Sequence, residues 1–103
     1  MSQALTPALA LDYLRELSAD IRSGVVLSPS GERLAGPEEL VGPARDLLEA
    51  APDAAEVHVT TADGAVFAAR DAQHAIILAC GRLALPALAR YDLKVVLGEL
   101  SAA

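Results

Sequence analysis

Hydrophobic positions along this chain recur first at helical spacing, then at strand spacing, and at helical spacing again at the end. From Thr6-Pro7 to about Ile21, the residues Ala10, Leu14, Leu17 and Ile21 return every three or four positions, with Leu9 and Tyr13 widening the stripe. Asp12, Arg15, Glu16 and Asp20 fall outside it, so the pattern predicts an amphipathic helix with one buried face. Thr6 can cap that helix, and Pro7 suits its first position, where a missing N–H costs nothing. Ser23-Gly24 ends it in this reading. Val25-Val26-Leu27 is then a short strand, apolar on both sides. Ser28-Pro29-Ser30-Gly31 has type I turn chemistry, and Glu32–Ala35 returns as a more polar strand closed by Gly36-Pro37.

The stretch from Ala55 to Arg82 reads as three strands in succession. Val57, Val59 and Thr61 alternate with His58 and Thr60, the period of two that a pleat imposes. Asp63-Gly64 is a hairpin signal, because a type I′ turn needs two residues with φ > 0. With those two as the loop, Ala62 faces Ala65, Thr61 faces Val66, Thr60 faces Phe67 and Val59 faces Ala68. A second turn near Asp71-Ala72-Gln73 leads into Ala75–Cys80, a run without alternation and therefore a strand covered on both faces.

Two further helices are predicted. Pro37 to Ala51 carries one stripe of Leu40, Ala44, Leu47 and Ala51, and a second, rotated stripe of Val41 and Leu48. The second stripe is either a wide core face or a surface for another chain. Gly42-Pro43 implies a start near Glu38, a kink, or a late start. The last helix runs from about Leu83 to Leu100, with Pro86 in its first turn. Its stripe is Leu85, Ala89, Leu93, Val96 and Leu100, with Leu88 and Leu97 beside it, and Ser101–Ala103 is a frayed tail.

The order α-β-β-α-β-β-β-α predicts an α+β fold with one five-stranded antiparallel sheet. Val25–Leu27 and Ile76–Leu78 should lie side by side in its centre, with Glu32–Ala35 and Glu56–Thr61 as the edges. The first and last helices should cover one face and the middle helix the other. At 103 residues this is a single domain over 1–103, with its core over about 7–100.

Composition removes several functions. The chain is 53% hydrophobic with net charge −6, and Lys94 is its only lysine among seven arginines. No basic cluster is present to neutralise phosphates, so nucleic acid is not an expected partner. The longest strictly apolar run, Ala75–Cys80, is far too short to cross a bilayer, and the N-terminus lacks a basic flank before its apolar part. No membrane insertion and a cytoplasmic location are expected. The lone Cys80 makes no internal disulfide and reads as a core thiol. His58 and His74 are solvated or interface histidines, since a metal site needs three or four ligands. Glu38-Glu39 and Asp12/Glu16 suit helix starts and polar helix faces. No phosphate loop appears among the scattered glycines. No catalytic residue, metal or cofactor is expected. What remains is the Glu56–Thr61 edge, which is β-branched and lacks the Pro or Lys that usually blunts such strands. An open edge beside a helix with a spare apolar stripe is what a sheet-extending two-fold dimer requires.

The order of elements also resembles the roadblock/dynein light chain family, and more closely its small bacterial members that partner a gliding GTPase. The resemblance spans about Leu9 to Leu100. It lies in the opening helix leading into Gly24–Ala35 (GVVLSPSGERLA), in the middle helix, and in Ala65–Arg82 leading into the last helix. Gly42-Pro43 departs from it, because the middle helix of this family is usually a long dimer helix. The resemblance implies a homodimer, or a heterodimer with a paralogue, whose edge strands pair and whose middle helices pack together. It assigns Val41, Arg45 and Leu48, with Val57, His58, Val59, Thr60 and Thr61, to that interface. It implies a non-enzymatic regulator or scaffold of a small Ras-like GTPase, acting by positioning GTPase loops, since no Arg stands in an obvious finger position. The other expectations are a small-ligand sensor of similar layers and a purely structural dimerisation scaffold.

Overall fold

A computed structural model describes residues 5–102. The first four residues, on which the reading of an N-terminus without a basic flank partly rests, and Ala103 of the expected frayed tail lie outside those residues. Thr6 caps α1 (Pro7–Leu17): its Oγ1 accepts a hydrogen bond from the Leu9 N–H at 3.2 Å, and Pro7 opens the helix. α1 stops at Leu17, a turn earlier than the pattern predicts. Ser18 is extended and its Oγ accepts from the Asp20 N–H, an alternative to helical pairing that short polar side chains offer. Ile21 therefore opens β1 (Ile21–Leu27), and Ser23-Gly24 lie inside that strand rather than ending the helix.

β2 (Arg33–Ala35) follows the expected turn, in which the Gly31 N–H donates to the Ser28 carbonyl at 2.9 Å. A turn of 3₁₀ helix over Glu38–Leu40 then leads into α2 (Val41–Ala50). That 3₁₀ turn absorbs Gly42-Pro43: Pro43 becomes the third residue of α2, where its nitrogen needs no partner. β3 (Glu56–Thr60), β4 (Ala65–Arg70), β5 (Ala75–Cys80) and α3 (Pro86–Ser101) complete the chain. α3 begins three residues later than expected. Leu85 is its exposed N-terminal cap and Leu88 is half exposed, so the buried face is Leu93, Val96, Leu97 and Leu100. Ser101 is helical and Ala102 caps the end.

The sheet is antiparallel throughout, in the order β2-β1-β5-β4-β3. The two strands apolar on both sides are thus neighbours, and the two polar ones are the edges, as their patterns require. One core joins Ala10, Leu11 and Leu14 of α1 to Val26, Phe67, Ile76 and Leu78 of the sheet and to the buried face of α3. The other joins Val25, Leu27, Ala68 and Ile77 to Ala44 of α2. A bulge at Arg22 inserts one extra residue, which turns Ile21 onto the same face as Val26. Gly24 lets α1 lie close: a Cβ there would sit 2.8 Å from Leu78 Cδ2 and 3.0 Å from Leu11 Cδ2.

The β3–β4 hairpin is shifted by two residues from the expected register. Thr60 pairs with Ala65, Val59 with Val66, and His58 with Phe67. Thr61 and Gly64 exchange backbone hydrogen bonds around Ala62-Asp63. Neither Ala62 nor Asp63 has positive φ, and neither does Gly64, so this is no type I′ turn. The glycine is needed for close approach instead, because a Cβ would lie 2.0 Å from the Cys80 carbonyl oxygen.

Candidate functional site

The register divides the β3 side chains between two faces. Glu56, His58 and Thr60 lie on the α3 side; Val57 and Val59 lie on the α2 side. His58 stacks on its cross-strand partner Phe67 with ring centroids 4.4 Å apart and planes at 20°. Glu56 holds Arg90 of α3 at 3.4 Å and Lys94 at 3.8 Å, exposed ion pairs worth about 0–1 kcal/mol each. Among the described residues, the outer edge of β3 has no neighbouring strand.

An apolar cleft of about 170 Å³ opens between α2 and the sheet beside this edge. Leu40, Pro43 and Leu47 form one wall, Val59 and Val66 the other, and Ile77 and Ala79 the floor. Val59 is 38% exposed there. Of the residues assigned to an interface from sequence, Val41, Leu48 and Val57 are half buried against the α2-side core. Arg45 and Leu48 do not reach the β3 cleft. They sit on the other flank of α2, where a second cleft of about 410 Å³ forms with Ser28, Ser30, Arg70 and His74. Sequence reasoning passed over Leu40, Pro43 and Leu47 as cleft residues. The stripe that holds Leu40 and Leu47 was legible, though Pro43 was not part of it, and which edge it faces depends on strand order.

The second cleft is bounded by a helix-end lock. Arg70 donates from Nε to the Ala54 carbonyl at 2.9 Å, from Nη1 to Leu48 at 3.2 Å, and from Nη2 to Ala51. It thereby ties β4 to the end of α2 and the turn after it, adding to the bonds that the Leu48 and Ala51 carbonyls already accept from the Ala51 and Ala54 N–H groups. Nearby, Asp71 Oδ1 accepts from the Gln73 and His74 N–H groups at 2.8 and 2.9 Å. Burial alone would raise the Asp71 carboxyl, but these N–H groups, the Ser101 hydroxyl and the His74 ring outweigh it and lower its pKa. His74 Nδ1 lies 2.8 Å from Ser101 Oγ, tying this turn to the end of α3. The two histidines therefore have separate neighbours, Phe67 and Ser101. Among the described residues no group of three or more His, Cys, Asp or Glu is placed to hold a metal. No described helix is long and apolar enough to cross a membrane.

No protein-family model matches the sequence, and no curated protein does either. Solved structures do. A Roadblock/LC7 domain from Streptomyces avermitilis superposes with a TM-score of 0.79 at 16% identity, over 90% of this chain and 92% of that one. The gliding protein MglB from Thermus thermophilus gives 0.70 at 12% identity, over 90% and 84%. Acanthamoeba castellanii profilin Ib gives 0.66 at 9%, over 94% and 98%. Identities this low establish architecture, and the differing names of these neighbours leave function to be argued from surfaces. The layers, the strand order and these superpositions agree with the resemblance read from the sequence: the chain has the roadblock fold.

Proposed function

We propose that the chain is a non-enzymatic, homodimeric module of the cytoplasm that regulates or scaffolds a small Ras-like GTPase. The observation that carries this is the β3 edge, which is unpaired, free of Pro and Lys, and set beside an apolar cleft. Pairing β3 with its counterpart in a second copy, about a two-fold axis, would join the two sheets into one and bring both α2 helices to the same face. The backbone of Val57–Thr61 would supply the hydrogen bonds. Leu40, Pro43, Leu47 and Val59 would close over one another, while Val41, Arg45 and Leu48 would border this contact from the far flank of α2. The roadblock fold and the likeness to MglB support a regulatory role, because the resemblance stated above is to GTPase partners of that kind. An encoded neighbour with a G-x-x-x-x-G-K-[ST] loop would be the GTPase to test.

A ligand-sensor reading has its own observation, the 410 Å³ cleft where Ser28, Ser30, Arg45 and His74 converge. Light scattering on the wild type and on Val59→Lys separates the two. The expected result is a wild-type mass near twice the 10.6 kDa chain and a folded monomer on substitution. A monomeric wild type would sink the dimer reading and favour the sensor.

A further inference from the structure

A third cleft, of about 270 Å³, opens on the α3 side of β3, at the end where β3 turns into β4. Three segments wall it: the last residues of β3, the turn that follows, and the loop from Gly81 that leads into α3. Its polar side chains are His58, Thr60, Thr61 and Arg82, and among the described residues no carboxylate lines it. The whole chain carries 14 acidic residues against 8 basic ones, so this wall is a local reversal of sign.

Among the described residues, none of these four side chains has a hydrogen bond or an ion pair within the chain, so their donors are free for an incoming group. The His58 ring is nevertheless set in place, because it stacks on buried Phe67 with centroids 4.4 Å apart. Three carboxylates stand outside the wall. Glu56, two residues before His58 on the same face of β3, is held by Arg90 and Lys94. Asp20 lies against Gly81 with Arg22 beside it. Asp63 belongs to the hairpin tip and does not line the cleft.

We propose that this cleft binds a phosphomonoester. Such a group carries a charge of about −1.5 to −2 at pH 7 and presents three terminal oxygens. Arg82 would take two of them in its planar fork, and the Thr60 and Thr61 hydroxyls and a His58 ring N–H would donate to the third. Donor type selects this class of ligand. Every polar side chain of the wall can donate and none carries negative charge, which disfavours a cation; a divalent metal would want carboxylate and carbonyl oxygens. A carboxylate has only two oxygens and a single charge, so it would leave donors of the wall unused. The cleft lies on the α3 side of β3, whereas the dimer contact would use the backbone edge and the α2 side, so the inference does not rest on the dimer reading.

The test follows the amide signals of the full, isotope-labelled chain by NMR at constant ionic strength, with O-phosphoserine as the probe and serine and acetate as controls. O-phosphoserine should shift the amides of His58–Ala65 and Gly81–Ala84 saturably. Serine should not shift them, and acetate should bind at least ~10-fold more weakly. Arg82→Gln should weaken O-phosphoserine binding by at least ~10-fold, and Arg82→Lys should recover only part of it, because the charge returns without the fork. Thr60→Val keeps a β-branched strand residue and removes one donor, so it should weaken binding too. Arg45→Gln removes a cation on the α2 side and should change binding by less than ~2-fold. Far-UV circular dichroism identifies any variant that fails to fold; Arg82 is exposed, so its replacement should leave the fold intact. A short peptide with phosphoserine at its centre separates the sources of the group. Binding tighter than that of free O-phosphoserine supports a group borne by a protein, and weaker binding supports a free metabolite. Equal binding of acetate, shifts centred on Ser28–Gly31 and Arg45, or binding insensitive to Arg82→Gln overturns the proposal.

Discussion

Cys80 shows how one residue's surroundings decide its chemistry. It is 5% exposed at the end of β5, and burial, with the Asp20 carboxylate adding to it, pushes the thiol up to about 11. A thiolate is the reactive form, so this side chain is inert at neutral pH. The sequence reading of a core cysteine is therefore also a statement about stability. The thiol's pKa is higher in the folded chain than its ordinary value of 9.0, so the unfolded chain loses this proton first as pH rises. The contribution is complete below pH 9 and is lost as pH climbs towards about 11. A shift of this size corresponds to about 2–3 kcal/mol. Urea unfolding of the wild type should show stability falling across that interval, and Cys80→Ala should flatten the alkaline decline while lowering stability at neutral pH. At pH 7 a thiol reagent should modify the native chain far more slowly than the urea-unfolded chain. Rapid native-state modification would refute the buried, inert thiol.

At the scale of elements, the hairpin between β3 and β4 marks what periodicity conveys and what it omits. Asp63-Gly64 correctly located the turn, but the register is offset by two residues. An even offset keeps every side chain on its face, which is why the alternation of Val57 and Val59 with His58 still gave the two sides correctly. What the sequence cannot carry is the reason for Gly64, since the carbonyl it must clear belongs to Cys80, in another strand. The boundary between α1 and β1 was misread for a related reason: Ile21 fits the helical stripe equally well, and Ser18 decides the matter locally. Gly64→Ala tests the close-approach account. The new Cβ meets backbone rather than a yielding side-chain tip, so the strands must separate. The expected destabilisation is about 1–3 kcal/mol, read as a lower urea midpoint. Asp63→Ala should cost less than Gly64→Ala, because no type I′ geometry depends on it. The reverse ranking would restore the turn explanation.

For the whole molecule, strand order was legible because two strands apolar on both sides can only be central, and the two polar strands then take the edges. The cleft beside β3 was not legible. The Val41/Leu48 stripe and the Leu40/Leu47 stripe differ by a fraction of a turn, and only the position of α2 over the sheet separates them. That position leaves the two faces of the molecule unequal, with an open apolar cleft beside the free β3 edge on the α2 side. If two copies close that cleft, folding and association are coupled, and stability must depend on concentration. Each tenfold rise in concentration adds about 1.4 kcal/mol per dimer, roughly half of that per chain. For a domain of this size the melting temperature should then rise by roughly 3–6 °C per tenfold increase. Val59→Lys should remove this dependence while leaving a cooperative transition, because the substitution lies at the edge and outside both cores. A wild-type melting temperature that stays constant over two decades of concentration would place the β3 cleft on the surface of a monomer.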